Sequence, residues 1–193
     1  NDFQLASLSI NQAAAINFSY NQDQELINAG ALTIDRYPSI NLVSNTALGL
    51  VADFFSYNTF GELFQYQAAV NGGRLFLQDF TRDDIGRVSQ KVETIGADPS
   101  ITTAYTYDTS GRLTGVSQNG SVTATYTYDL NGNRLTTVTP TTNVAATYDD
   151  QDRMLTYGSF AYTYTANGDL ATRTNTQTSA TDSYVYDAMG GLT

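Results

Sequence analysis

The segment Tyr105-Thr106-Tyr107-Asp108-Thr109-Ser110-Gly111-Arg112-Leu113-Thr114 returns, slightly altered, as Tyr126-Thr127-Tyr128-Asp129-Leu130-Asn131-Gly132-Asn133-Arg134-Leu135-Thr136. A chain built from copies of a unit of roughly twenty to twenty-five residues folds as a solenoid, a propeller or a coiled sheet. A unit so short cannot enclose a core of its own, so each copy is completed by its neighbours. The properties of such a chain belong to its assembled surface.

The unit has a direct physical reading. Tyr105 and Tyr107 alternate with the small or hydroxylated Ala104 and Thr106, which places both tyrosines on one face of a strand. Asp108 and Gly111 stand at the first and fourth positions of a type I turn. There the carboxylate accepts from backbone N–H groups ahead, and Gly takes the left-handed conformation that starts the return. Arg112 to Val116 is the return strand, so each copy is a β-hairpin with Gly111 in a G1 bulge. The tyrosine position recurs as Tyr20, Tyr57, Arg82, Tyr107, Tyr128, Tyr148, Tyr164 and Tyr186, which predicts eight hairpins. The turn Gly recurs as Gly61, Gly86, Gly111, Gly132, Gly168 and Gly190. Asp152, which tolerates positive φ, and Gln24, which does so less readily, stand in for it elsewhere. Tyr20 and Tyr57 are 37 positions apart, too far for one hairpin. Ala29-Gly30-Ala31-Leu32-Thr33-Ile34 and Ala47-Leu48-Gly49-Leu50-Val51 are expected to supply an extra strand pair without the signature.

These residues resemble the YD repeats, also called RHS repeats, of bacterial polymorphic toxins, insecticidal toxin-complex subunits and teneurins. The family pattern is Tyr-Asp, two variable residues, then Gly-Arg-Leu. It is matched by Tyr107-Asp108 with Gly111-Arg112-Leu113, and by Tyr128-Asp129 with Gly132, Arg134 and Leu135 if one residue is inserted. Tyr186-Asp187 with Gly190 and Leu192 also matches, with Gly191 in place of the Arg. Tyr148-Asp149 to Arg153 and Tyr57 to Leu63 are variants, and Tyr164 with Gly168 is a further copy. The resemblance implies an all-β fold of antiparallel hairpins wound into a curved sheet, part of a hollow shell or tube. Residues 77–193 match well and 1–76 look like degenerate repeats, so the whole chain reads as one repeat region, an excerpt of a longer one. The family's toxin members end their shell in an Asp-Pro-containing self-cleavage segment. Asp98-Pro99 lies mid-chain without the rest of that pattern and is assigned no catalytic role.

The resemblance implies a structural role: an extracellular, secreted or cell-surface shell that encapsulates a toxin or other cargo. The alternative is a self-assembling surface filament or a glycan-binding adhesin built from the same repeats. Expected partners are neighbouring repeats or further copies of the chain, with an enclosed toxin domain or glycans beyond them. Composition narrows the chemistry. Nine basic against nineteen acidic residues, only one of them Lys, give a net charge of -10 and argue against nucleic acid, whose binding needs clustered cations. No run is long and apolar enough for a membrane-spanning helix. Zero Cys and zero His remove disulfides, thiolate and imidazole metal sites and His-based triads. Carboxylates remain, including only three glutamates, so no enzymatic activity and no cofactor is expected.

Two acidic clusters, Asp129-Leu130-Asn131-Gly132-Asn133 and Asp149-Asp150-Gln151-Asp152, superficially resemble calcium loops. The repeat explains both as turn starters followed by polar turn residues, and no closing Glu follows Asn133. The repeat tyrosines could stack on sugar rings. Stacking on one another in a ladder between hairpins is the simpler expectation, since all occupy one repeat position. Arg87, Arg112, Arg134 and Arg153 are expected to pair with Asp of adjacent copies. Because the clusters are read as turns, EDTA should leave the thermal unfolding midpoint unchanged. A loss of several degrees, restored by calcium and not by magnesium, would make them cation sites.

Overall fold

The computed structural model describes residues 4–11 and 13–193 and contains no helix among them. The chain divides into two units, Asn1–Thr103 and Ala104–Thr193. The first holds β1 (Ser7–Leu8), β2 (Ile16–Tyr20), β3 (Leu26–Ala29), β4 (Leu32–Arg36), β5 (Val43–Leu48), β6 (Val51–Tyr57), β7 (Leu63–Val70), β8 (Gly73–Arg82) and β9 (Val88–Ile95). Strand β10 (Ile101–Tyr107) straddles the boundary. The second unit continues with β11 (Leu113–Gln118), β12 (Ser121–Tyr128), β13 (Arg134–Val138), β14 (Asn143–Tyr148), β15 (Met154–Tyr157), β16 (Phe160–Tyr164), β17 (Leu170–Asn175) and β18 (Thr181–Ser183). In each unit every strand pairs antiparallel with the next in sequence, from β1 to β9 and from β11 to β18.

The two ends of the strands carry different turns. At one end lie the Asp-type turns, with the tyrosine position paired six residues ahead: Tyr57 with Leu63, Tyr128 with Arg134, Tyr148 with Met154 and Tyr164 with Leu170. Within them Gly111 N–H donates to Asp108 C=O at 3.0 Å and Asp108 N–H to Arg112 C=O at 2.9 Å, the three-residue hairpin loop with a G1 bulge. The fourth turn position has positive φ throughout, from 61° at Asp152 to 96° at Gly132, and Gln24 reaches 65°. A register shift one step further into the strands, as between Thr127 and Tyr128 or Thr163 and Tyr164, adds a second bulge. At the other end several strands join through two-residue loops. Asn71-Gly72 (φ 51° and 75°) links Val70 to its partner Gly73, and Asn119-Gly120 (49° and 81°) links Gln118 to Ser121. Two consecutive left-handed residues match the twist of the flanking strands.

The span between Tyr20 and Tyr57 departs in part from expectation. The expected extra strand pair is present, since β4 pairs with β5 through Thr33 and Ala47, but the segments Ala29 to Ile34 and Ala47 to Val51 also run through turns. Each is a hairpin tip, with Gly30-Ala31 joining β3 to β4 and Gly49-Leu50 joining β5 to β6. Between them lies a further Asp-end turn in which Arg36 holds the tyrosine position and pairs with Val43, seven residues on. The extra residue, Pro38 and a left-handed Asn41 (φ 57°) in the Gly place disguise it.

Layering is minimal. Among the described residues only Ala69, Ala124 and Ala146 are buried, and no large side chain is fully so. A sheet buries apolar area by packing a face on another layer, and neither unit has such a layer of its own. Packing is instead lateral, from strand to strand. On the face opposite the tyrosines, Thr127–Thr136, Thr147–Thr156 and Thr163–Thr172 join hydroxyls across the strands at 2.6, 2.7 and 2.6 Å.

The turns generate a test. A Cβ at Gly132 would meet nothing within 4 Å, so the cost of Gly132→Val comes from its φ of +96° and not from crowding. Gly132→Val should lower stability in chemical denaturation by about 1 kcal/mol or more, and Gly111→Val similarly, whereas Thr109→Val should do far less.

Candidate functional site

The one feature that recurs in every hairpin is the Asp-end turn, and these turns are joined to one another. Asp108 Oδ1 accepts the backbone N–H of Ser110 and of Arg112, both at 2.9 Å, and Oδ2 accepts Arg112 Nε at 2.7 Å. The carboxylate closes its own turn and then fixes the guanidinium. Arg112 Nη1 donates onward to the carbonyl of Asp129 in the next turn at 2.6 Å, and the guanidinium carbon lies 4.9 Å from the centre of the Tyr128 ring. Tyr128 returns the link, its hydroxyl donating to Leu113 C=O at 2.7 Å. Asp149 repeats the arrangement with Gln151 and Arg153, Arg153 lies 5.0 Å from the Tyr164 ring, and Tyr164 donates to Met154 C=O at 2.7 Å. Asp83 binds Ile85 and Arg87 in the same way.

Two expectations are corrected. Arg87, Arg112 and Arg153 pair with the Asp of their own turn, four residues back, and not with an adjacent copy. The turn folds the fifth residue over the first, so the nearest carboxylate is always local. The repeat tyrosines, in turn, do not form a ring-on-ring ladder. Ring-on-ring contacts occur instead at Tyr37–Tyr57, Phe55–Tyr66 and Tyr66–Phe76. Beside Tyr128 and Tyr164 lies an arginine from the preceding turn, a cation–π stack.

Arg134 is placed differently from its motif assignment. Tyr128 pairs with Arg134 as Tyr164 pairs with Leu170, so no residue is inserted and Arg134 stands where Leu113 stands in its own hairpin. Asn133 takes the arginine position. Its backbone donates to Asp129 Oδ1 at 2.8 Å and its amide to Oδ2 at 2.9 Å. Arg134 lies instead 5.8 Å from the Tyr126 ring centre, its carbonyl accepts Tyr148 Oη at 3.1 Å, and Leu135 follows it into the bulge. Asn131 and Asn133 also donate to Asp152 Oδ1, at 2.9 and 2.6 Å, which ties that turn to the next. The Asp129 oxygens are thus engaged by N–H donors. No group of three or more acidic residues among those described could hold a metal ion. Thr165 replaces the aspartate in the turn that ends at Gly168, bonding Asp169 by both its backbone and side chain. Asp187 binds Met189 and Gly191 N–H at 2.8 Å each, Gly190 has φ 80°, and Tyr186 bridges to Leu192. Tyr107 ends β10, directly before Asp108.

Two turns of the first unit, at Asn21 and Asn58, carry the three-point arrangement with donor and acceptor exchanged. Asn58 Oδ1 caps Phe60 and Glu62 N–H at 2.9 and 3.0 Å, while its amide donates to Glu62 Oε2 at 2.8 Å. Glu62 then faces Arg82, at the tyrosine position of a later turn, at 3.6 Å. Arg82 Nη2 donates to Leu63 C=O, the counterpart of the carbonyl that Tyr128 uses. Asn21, Glu25 and Arg36 do the same, with Arg36 Nε 3.2 Å from Glu25. Asp–Arg–Tyr becomes Asn–Glu–Arg: side-chain donor and acceptor swap between the first and fifth positions, while the tyrosine-position side chain still donates to the same backbone carbonyl. Reading for Tyr-Asp misses this. The signal that could have found it is Asn, then Glu four residues on, at Asn21 and Asn58 alike.

A family model described as Teneurin YD-shell matches residues 2–193. Among solved structures, the chain is similar to one in TcdB2-TccC3-Cdc42 (TM-score 0.73, 11% identity) and to one in TcdB2-TccC3 (0.74, 12%); it covers 92% of itself and 12% of each of those chains. It also resembles a chain of the Photorhabdus luminescens Tc holotoxin pore, at TM-score 0.61 and 14% identity with the same coverage. The likeness at this identity is one of fold, and the chain spans about an eighth of those chains. No curated protein matches it.

The turn carboxylates fix an acid limit. Asp108 is held below the usual carboxylate range by the Arg112 N–H and guanidinium, Asp149 by the Arg153 side chain and backbone, and Asp129 by the Asn133 amide. Desolvation pushes Asp83 upward, but the combined hydrogen bonds of Arg87 and Ile85 outweigh it. A depressed folded pKa gives stability that is complete above the unfolded value and is lost as pH falls through the folded one. Urea midpoints should therefore be level above about pH 5 and fall below about pH 4, near the unfolded carboxylate value. Asp108→Asn combined with Asp149→Asn should flatten that fall while lowering the neutral-pH midpoint.

Proposed function

This chain belongs to the teneurin YD-shell family, and we propose that it forms part of the wall of a β-shell that encloses a polypeptide cargo such as a toxin domain. The shell role itself is structural. What supports enclosure is that, among the described residues, neither unit buries a large side chain against a layer of its own, while within each unit neighbouring turns are linked laterally through Asp–Arg–Tyr or Asn–Glu–Arg contacts, as from Arg112 to Tyr128 and from Glu62 to Arg82. A wall must be thin, two-sided and laterally continuous, and these contacts run laterally. The likeness in fold to a chain of the Photorhabdus luminescens Tc holotoxin pore supports a toxin as the class of cargo. In this reading the chain carries out no catalytic step, acts outside the cell or at its surface, and is one continuous repeat region. The charge-exchanged turns account for the divergence of residues 1–76.

The test is the behaviour of residues 1–193 alone. Wall material is expected to be poorly soluble or to aggregate irregularly, because unpaired strand edges and half-covered aromatics are then exposed. Uniform tubes or fibres with a regular axial repeat in electron micrographs would favour a filament subunit. A monodisperse monomer at high concentration would count against both and direct attention to glycan binding.

A further inference from the structure

The outward-facing apolar residues are not spread evenly over the turns. In the first unit, two Asp-end turns, 57–63 and 82–88, enclose a groove of about 840 Å³ between them. Its walls carry Phe60 and Ile85 at the turn tips, 87% and 73% exposed, and its inner end carries Phe64 and Phe80. Neither tip residue has a structural reason to be apolar. Each sits at the third turn position, where only its backbone N–H is used, by Asn58 and Asp83. The same position holds the polar Ser110, Asn131, Gln151 and Asn167 in the second unit, with Met189 as an apolar exception, and only Phe60 and Ile85 face one groove. The groove's volume lies within the range of about 300–1,000 Å³ common for ligand sites.

Its charge is one-sided. Glu62, Asp83 and Asp84 line it against a single cation, Arg82, which is already spent on Glu62 and two backbone carbonyls. Asp83 is spent on Arg87, whereas Asp84 is exposed and makes no hydrogen bond or ion pair. A ligand with bulky apolar groups and adjacent positive charge would satisfy both features at once.

We propose that this groove is a docking site for a partner polypeptide segment in which Phe or Leu side chains alternate with Lys or Arg. The apolar side chains would enter between Phe60 and Ile85, and a cation would reach Asp84. A second copy of this chain is a poor occupant: seven of its nine basic side chains are ion-paired and the net charge is -10. The proposal concerns a surface and is independent of what the shell encloses.

The intact chain, tethered sparsely by one terminus to a biosensor surface so that aggregation does not interfere, is exposed to a synthetic peptide alternating Lys with Phe and Leu. Saturable binding is expected, weakened about tenfold or more by Phe60→Ser or Ile85→Ser, as for exposed anchors that carry most of an interface. Asp84→Asn should weaken it several-fold and remove much of its salt dependence. Asp150→Asn, at the same turn position in the second unit, should leave it unchanged. Circular dichroism checks that each variant keeps its β spectrum. No binding, equal binding of a peptide with Glu in place of Lys, or equal losses from Asp84→Asn and Asp150→Asn would each overturn the assignment.

Discussion

The carboxylate or carboxamide at the first position of most Asp-end turns is the contact on which the rest depends. Its Oδ1 accepts two backbone N–H groups, two and four residues ahead, at Asn21, Asn58, Asp83, Asp108, Asp129, Asp149 and Asp187 alike. Those donors would otherwise point into a tight bend without backbone acceptors, so one side-chain oxygen satisfies what the backbone cannot. The second side-chain heteroatom is then free to hold the fifth residue, and through it the next hairpin.

Because the link runs through three positions, it tolerates inversion. In the second unit an acceptor at the first position holds a cation, which lies against an aromatic ring. At Asn58 in the first unit a donor amide holds a carboxylate, which faces an arginine, while Asp83 of the same unit keeps the Asp–Arg version. The tyrosine-position side chain reaches the same backbone carbonyl in both versions, as Tyr128 to Leu113 and Arg82 to Leu63. Stagger between hairpins is therefore set by a long side chain with a terminal donor, whether phenol or guanidinium, more than by any one residue type. Each such contact is partly exposed and weak singly; repetition along the wall is what makes them count.

Among the described residues no large side chain is fully buried, so the side chains lie at turns and on strand faces. The turn tips, strand faces and grooves between turns differ from copy to copy, whereas the cap of the first turn residue on the backbone ahead recurs. The apolar tips at Phe60 and Ile85 are one such difference. The shell role and any recognition role thus reside in separate residues of the same turns, as expected when a scaffold is repeated and its surface is varied.

Much of this was readable from sequence, because the hairpin is local. Alternating tyrosines, an aspartate and a glycine three residues later fix a strand, a type I turn and a left-handed residue within a handful of positions, and the φ angles at Gly61, Gly111 and Gly168 follow from backbone sterics alone. The disguised turn at Arg36 was not legible, since Pro38 and one extra residue break the spacing on which motif matching relies. Nor was Asn133 distinguishable from Arg134 as the fifth-position residue: the sequence offers both an Arg and a following Leu, and only the pairing of Tyr128 with Arg134 decides between them. What the sequence by itself determined is the backbone of the signature turns, the Asp that caps the N–H groups ahead and the left-handed residue that follows, where covalent geometry limits the choices; the pairing of Arg112 with the Asp108 of its own turn was not among them. The tertiary structure alone decided which groups meet between turns, because the stagger of one hairpin against the next is set by side chains some twenty residues apart, and the choice between ring, cation and carboxylate there is made by whichever donor finds the neighbouring carbonyl.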